Sequence, residues 1–361
     1  MRSTYIGTDR DDALSASGEI RESFYGLGGD DVFYFYGVDG VDPDYDVSDR
    51  FFGGSGRDLL QNVFLNFNGY SGLEQLAQLS FDGGKGYDTL AVEISVDLTE
   101  YNATKSEMDL SGIAPLLRSV EHREYDITLE EFDSLQKLGE LNILGGELDE
   151  TVRLQQATAS SLIPSMQAGG EIRVSLGGGD DRFEYSAEIP VVSSLVVDMG
   201  KGDDVVLMNA STTTYPDEFE AVIRTRGGAD TIVLDGMYRE TANAGAGNDA
   251  IYLLSGSFEN APDDVRTGKG RDTVFLELDS YSKLAKIRDF STKKDVIVFD
   301  AEEFRDTEVT FDKSVWSAAE EDKLYMDTAA GKLYFGDNVL VSFGGAIDLT
   351  AANFEVGDWL Y

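Results

Sequence analysis

Apolar residues in this chain come in short alternating runs, such as Val32-Phe33-Tyr34 and Thr273-Val274-Phe275, rich in β-branched and aromatic side chains. Period-two alternation of this composition predicts strands that bury one face. A second set of runs, Ser194 to Val197 and Ala221 to Ile223 among them, falls between the first, so the pattern predicts a repeated unit of strand, loop, strand and turn. The repeat is interrupted between Leu90 and Leu176. There ITLEEFDSLQKL begins at Ile127, with Ile127, Leu129, Phe132, Leu135 and Leu138 near helical spacing, Thr128 placed as a cap, and Glu130 and Glu131 in the first turn. This predicts a short helix packed on the strands. From Val309 to Tyr361 alternating runs return, as in Lys332-Leu333-Tyr334-Phe335 and Val339-Leu340-Val341, and predict a β-rich C-terminal cap.

A glycine-rich phrase ending in aspartate precedes the first set of runs. It reads GGSGRDLLQ from Gly53 and GGKGYDTLA from Gly83. Looser copies are GLGGDDVFY from Gly26, LGGGDDRFE from Leu176, MGKGDDVVL from Met199, TRGGADTIV from Thr225, AGAGNDAIY from Ala244 and TGKGRDTVF from Thr267. Glycine at the second and fourth places permits positive φ and a tight bend that turns several carbonyl oxygens inward. The aspartate at the sixth place adds a carboxylate. An oxygen-only site of this kind beside a strand suits calcium.

The phrase resembles the RTX nonapeptide, G-G-x-G-x-D-x-U-x with U a large apolar residue, which is a calcium-binding repeat. The copies at Gly53 and Gly83 match each fixed position, and the resemblance extends over most of residues 1–300. It implies an all-β chain, a right-handed parallel β-helix or β-roll, with several Ca2+ ions between stacked turns shared by the aspartates of adjacent coils. By that resemblance the metal positions are Gly26, Gly29 and Asp31, then Gly54, Gly56 and Asp58, then Gly84, Gly86 and Asp88. Further along they are Gly177, Gly179 and Asp181; Gly200, Gly202 and Asp204; Gly228 and Asp230; Gly245, Gly247 and Asp249; and Gly268, Gly270 and Asp272. In GTDRDDAL from Gly7, Arg10 replaces the fourth-place glycine, leaving Asp12 as a candidate; in LGGELDETV from Leu144, Glu147 does so, leaving Asp149. FSTKKDVIV from Phe290 keeps only Asp295 and its strand, and its lysines repel a cation, so Asp295 is not counted with the ligands.

Spacing refines the expectation. In a compact β-roll the phrase recurs about every nine residues and calcium lines both edges. Here Asp204, Asp230, Asp249 and Asp272 are separated by roughly two to three times that interval, so calcium is expected along one edge only. The expected organisation is a first repeat block over 1–98, an insertion with the short helix over 99–175, a second repeat block over 176–300, and a C-terminal cap with secretion signal over 301–361.

Composition agrees with a metal-loaded fold. A net charge of −39, from 68 acidic and 29 basic residues, sets carboxylates against one another unless a cation intervenes. With no cysteine, disulfides cannot hold the fold. Nothing basic and aromatic interleaves in the manner of a nucleic-acid site, so nucleic acid is excluded as a partner. No run is long enough for a transmembrane segment, and MRSTYIGTDRDD lacks the apolar stretch of a cleaved signal peptide. RTX proteins leave bacteria by the type I route, and the ending FEVGDWLY resembles its uncleaved C-terminal signal, so the resemblance implies a secreted, extracellular or cell-surface protein. The first phrase begins so soon after Met1 that no N-terminal effector domain is expected before it. Scarce cytoplasmic calcium would keep such a chain threadable, and millimolar calcium outside would fold it.

Other candidate chemistry is sparse. Asp42, Asp44 and Asp46 have the alternate spacing that opens an EF-hand loop, but Val47 replaces its glycine and Gly53 its glutamate, so an acidic surface loop is the better reading. His122 is the one histidine, which excludes a two-histidine zinc motif, and no G-x-S-x-G elbow occurs. The leading expectation is a non-enzymatic structural protein that assembles with copies of itself into a surface lattice or filament. The alternatives are a polysaccharide lyase or epimerase using Arg153, Arg173, Arg182 or Arg224 as base, and a calcium-dependent adhesin or module binding extracellular polysaccharide.

Overall fold

The computed structural model describes residues 3–16, 21–35, 49–67, 80–96, 106–110, 117–118, 120–129, 140–156, 170–187, 192–210, 219–236, 238–254, 262–277, 285–300, 309–311, 324–336 and 338–357. They are nearly all strand, in large parallel sheets, with no α-helix among them. The chain divides into two compact units, Met1–Ser186 and Ala187–Tyr361.

In the first unit each glycine phrase carries the chain from a strand of one parallel ladder into a strand of another. The departing strands are Ala13–Ser15, Val32–Tyr34, Leu59–Phe67, Thr89–Val96, His122–Leu129, Asp149–Gln156 and Arg182–Ser186, paired in that order. The approaching strands form two sets. Ser3–Ile6, Glu22–Tyr25, Arg50–Gly56, Ser80–Gly86 and Leu117–Arg118 make one, and Ser106–Asp109, Glu140–Leu144 and Glu171–Gly178 begin the other.

Alternation does the sorting. Along Thr89–Val96, His122–Leu129 and Glu171–Gly178 every second side chain is buried and its neighbours face outward. Because the register runs straight from coil to coil, like residues stack: Tyr5, Phe24, Phe51 and Phe81 are in register. The rings of Tyr5, Phe24 and Phe51 lie parallel, with centroids 4.9 Å apart for Tyr5–Phe24 and 5.1 Å for Phe24–Phe51. Such pairs add about 0.5–1.5 kcal/mol each beyond the burial of their area.

The second unit repeats the scheme. Ser194–Lys201, Glu220–Arg224, Arg239–Asn243, Asp264–Arg266 and Ala285–Ile287 approach the turns; Val205–Ala210, Thr231–Gly236, Ala250–Leu253, Thr273–Leu276, Val296–Asp300 and Phe354–Gly357 leave them or extend that ladder. After Ala285–Ile287 the pairing changes. Asn338–Ser342 joins it in parallel, then Lys332–Phe335 and Leu324–Asp327 follow antiparallel, so the C-terminal region is β-rich and free of glycine phrases as expected.

The expected helix is corrected. Residues from His122 to Leu129 are a strand, with Thr128 in its ladder against Ser95 and Gln155, and not a helix cap. Tyr125, Ile127 and Leu129 satisfy period two as well as they fit a helical face, and burial selects the strand. Phe132, Leu135 and Leu138 lie outside the described residues, as do Asp42, Asp44, Asp46 and the last four residues of FEVGDWLY. The described part of 99–175 supplies further parallel rungs where an insertion was expected. No helix among the described residues is long and apolar enough to cross a membrane.

Candidate metal centre

Of the predicted turn glycines, all but Gly26 take positive φ, from 94° at Gly268 to 158° at Gly270. In the copy at Gly26 the second place belongs to Leu27, which adopts φ 80° although its side chain gains nothing by it, being 48% exposed. A non-glycine residue there costs roughly 1–2 kcal/mol. Leu27→Gly should therefore stabilise the protein by about 1 kcal/mol, read as a rise in thermal midpoint; an unchanged or lower midpoint would contradict the turn geometry.

The sixth-place carboxylates form a row. In most of the described coils a carboxylate oxygen accepts the backbone N–H of the row residue in the coil before. Asp12 N donates to Asp31 at 2.9 Å, Asp31 N to Asp58 at 3.0 Å, and Asp58 N to Asp88 at 2.8 Å. In the second unit Asp204 N reaches Asp230 at 2.9 Å, Asp230 N Asp249 at 3.0 Å, Asp249 N Asp272 at 3.1 Å, and Asp272 N Asp295 at 3.1 Å. Asp295 thus belongs to the row, while Lys293 and Lys294 beside it are exposed.

Two further row members differ from expectation. Asp88 N donates to Glu121 Oε2 at 2.9 Å, so a coil without any glycine phrase still supplies a carboxylate. Glu150 takes the place expected for Asp149: its N–H reaches Asp181 Oδ1 at 2.9 Å and its carboxylate accepts Gly146 N at 3.1 Å. The register sets Leu144 opposite Ser175, so the phrase begins at Gly145, one residue later than its sequence suggests, and Glu150 is the sixth residue. Asp149 lies outside the row, accepting Asp180 N at 2.9 Å on the exposed side.

The second oxygen of these carboxylates is the telling atom. Oδ2 of Asp31, Asp58, Asp88, Asp249 and Asp272 is buried without a hydrogen-bond partner, in side chains no more than 2% exposed. An unmatched buried carboxylate is costly, and a cation or a proton relieves it. A methyl group on Gly26 would fall 1.9 Å from Asp31 Oδ2 and 2.6 Å from the Gly53 carbonyl oxygen. On Gly53 it would fall 2.1 Å from Asp58 Oδ2 and 2.4 Å from the Gly83 carbonyl oxygen. A carboxylate oxygen and the next coil's carbonyl oxygen therefore face the same glycine-lined notch, a donor set of hard oxygens that fits calcium. Among the described residues no three acidic or histidine side chains gather into a metal cluster, so backbone carbonyls must complete any such site.

Burial raises the pKa of several row members. It lifts Asp58 and Asp272 to about 6 and Asp181, Asp249 and Glu150 to about 7, against opposing backbone N–H bonds. At the far end of the approaching strands lies a second set of buried acids that no glycine phrase marks. Glu22 N donates to Asp49 Oδ1 at 2.7 Å and Glu240 N to Asp263 Oδ1 at 3.1 Å. The signal for it in the sequence is an acid leading into an alternating run, as in DRFF and DDVR.

Three of the other candidates are engaged by carboxylates. Arg153 reaches Asp126 at 3.1 Å, Glu124 at 3.4 Å and Glu184 at 3.7 Å. Burial works against its charge, but Asp126, Glu124 and Glu184 together hold its pKa above the usual arginine value. Arg182 pairs with Glu184 and Arg173 with Glu171 and Glu140, while Arg224 lies exposed at the end of its strand. His122 Nε2 sits 3.3 Å from Thr151 Oγ1 and 3.6 Å from Glu124 Oε1. Comparison of the chain with family models, with curated proteins and with solved structures finds no match.

Proposed function

We propose that this chain is a secreted, calcium-folded structural protein of the RTX kind, closing into a right-handed parallel β-helix with calcium along one edge. The observation that carries the reading is the row of buried carboxylates whose second oxygens lack hydrogen-bond partners at Asp31, Asp58, Asp88, Asp249 and Asp272. Asp12, Asp31, Asp58, Asp88, Asp181, Asp204, Asp230, Asp249, Asp272 and Asp295, with Glu121 and Glu150, would hold the ions together with turn carbonyls. Bound calcium would neutralise the row and join each coil to the next, coupling metal binding to folding.

Self-assembly at a cell surface or in an extracellular matrix is the role this reading favours. The strand Ser3–Ile6 supports it, because among the described residues it ends its sheet and leaves Tyr5 42% and Ile6 68% exposed, a surface suited to a further strand. A lyase gains less support, since a base must release its proton readily and Arg153 is held charged by three carboxylates. Electron microscopy and light scattering with millimolar calcium, and again with chelator, test the role. Ordered assemblies that appear with calcium are expected; a monomer at high concentration in calcium would sink the assembly role.

A further inference from the structure

We infer that the guanidinium of Arg123 takes the place of a calcium ion in the acid row of the first unit, at the step between the Glu121 and Glu150 coils. The inference rests on the calcium reading of that row. Each row acid lies at the entry to its departing strand and is followed there by Thr89 after Asp88, His122 after Glu121, Thr151 after Glu150 and Arg182 after Asp181. Thr89 pairs with His122 and Thr151 with Arg182, so those coils are in phase. His122, however, pairs with Asp149 and not with Thr151. The row slips there by two residues, about 6.6 Å along the strand.

An even slip preserves which side chains face inward. It brings Arg123 opposite Glu150 in register, with Nη1 3.5 Å from Oε1, the two side chains 5% and 0% exposed. Arg123 is the second residue after its row acid. At that place the other coils bury Phe33, Leu60, Leu90, Val152 and Phe183. An arginine in such a core position is costly unless a buried negative charge requires it. Guanidinium keeps its charge at any pH the protein meets and needs no metal supply. At the step where the carboxylates are out of phase, the chain supplies the cation itself.

The test counts calcium bound per full-length chain by equilibrium dialysis at millimolar calcium, and follows folding by circular dichroism. Arg123→Met should fold in calcium, bind one more ion than wild type, and require a higher calcium concentration to fold. Arg123→Lys should keep the wild-type count, and Arg123→Met with Glu150→Gln should fold without gaining an ion. The inference is overturned if Arg123→Met folds with the wild-type count, or if it stays unfolded in calcium while the double variant folds. Wild type that binds no calcium would refute the calcium reading itself, and with it this inference, before any variant is made.

Discussion

Gly247→Ala is expected to destabilise the second unit by about 4 kcal/mol or more, lowering its thermal midpoint by roughly 10 °C or abolishing the fold. Gly247 holds φ 153°, and a methyl group there would lie 1.5 Å from the carbonyl oxygen of Gly228 in the preceding coil. Both the backbone conformation and the coil spacing forbid it, and the obstacle is backbone, which cannot turn aside as a side chain would. Gly86→Ala meets the same obstruction in the first unit, φ 150° with the Gly56 carbonyl oxygen at 1.4 Å. Gly227→Ala is the control, since its new methyl would meet only the Ala246 carbonyl oxygen at 3.4 Å and should cost less than about 1 kcal/mol. Equal losses for Gly227→Ala and Gly247→Ala in thermal melts would show that the coils do not stack through these turns.

In chelator, the protein is expected to be more stable at pH 5 than at pH 8. Asp58 and Asp272 are raised to about 6, and Asp181, Asp249 and Glu150 to about 7. In the unfolded chain the same groups titrate near 3.9 to 4.3. Between about pH 4 and 7 the folded state therefore binds more protons, so stability rises as pH falls through that window. The contribution is complete below the unfolded values and is lost as pH climbs through the folded ones. Protons and calcium answer the same buried charge, so the stabilisation by calcium should shrink toward pH 5. A calcium-free folded fraction, read by circular dichroism, that falls steadily from pH 8 to pH 5 would contradict this.

The sequence makes the turns and the strands beside them legible because glycine and aspartate recur there at fixed places. Glycine at the second and fourth places and aspartate at the sixth are required by backbone approach and buried hydrogen bonding, and both survive in the letters. The coils at Glu121 and Glu150 were hidden for the opposite reason. Glu121 holds its place in the row with no glycine phrase before it, and the Glu150 phrase is displaced by one residue. His122–Leu129 was misread because an inward arginine interrupts the apolar alternation, leaving Ile127 and Leu129 to imitate a helical face. Asp295 was discounted on the charge of Lys293 and Lys294, whose exposure only the folded chain reveals. The acids at Glu22, Asp49, Glu240 and Asp263 carry no glycine phrase, and their environment comes from strands brought together in three dimensions.

The central claim is that calcium occupies the carboxylate row and folds the chain. Far-ultraviolet circular dichroism during a calcium titration from chelator at pH 7.5, with bound calcium counted on the same samples, tests it most directly. The account predicts a largely unfolded chain in chelator and a cooperative gain of β-sheet signal as several ions bind. A chain fully folded in chelator, with an unchanged melting temperature and no bound ion on adding calcium, would contradict it.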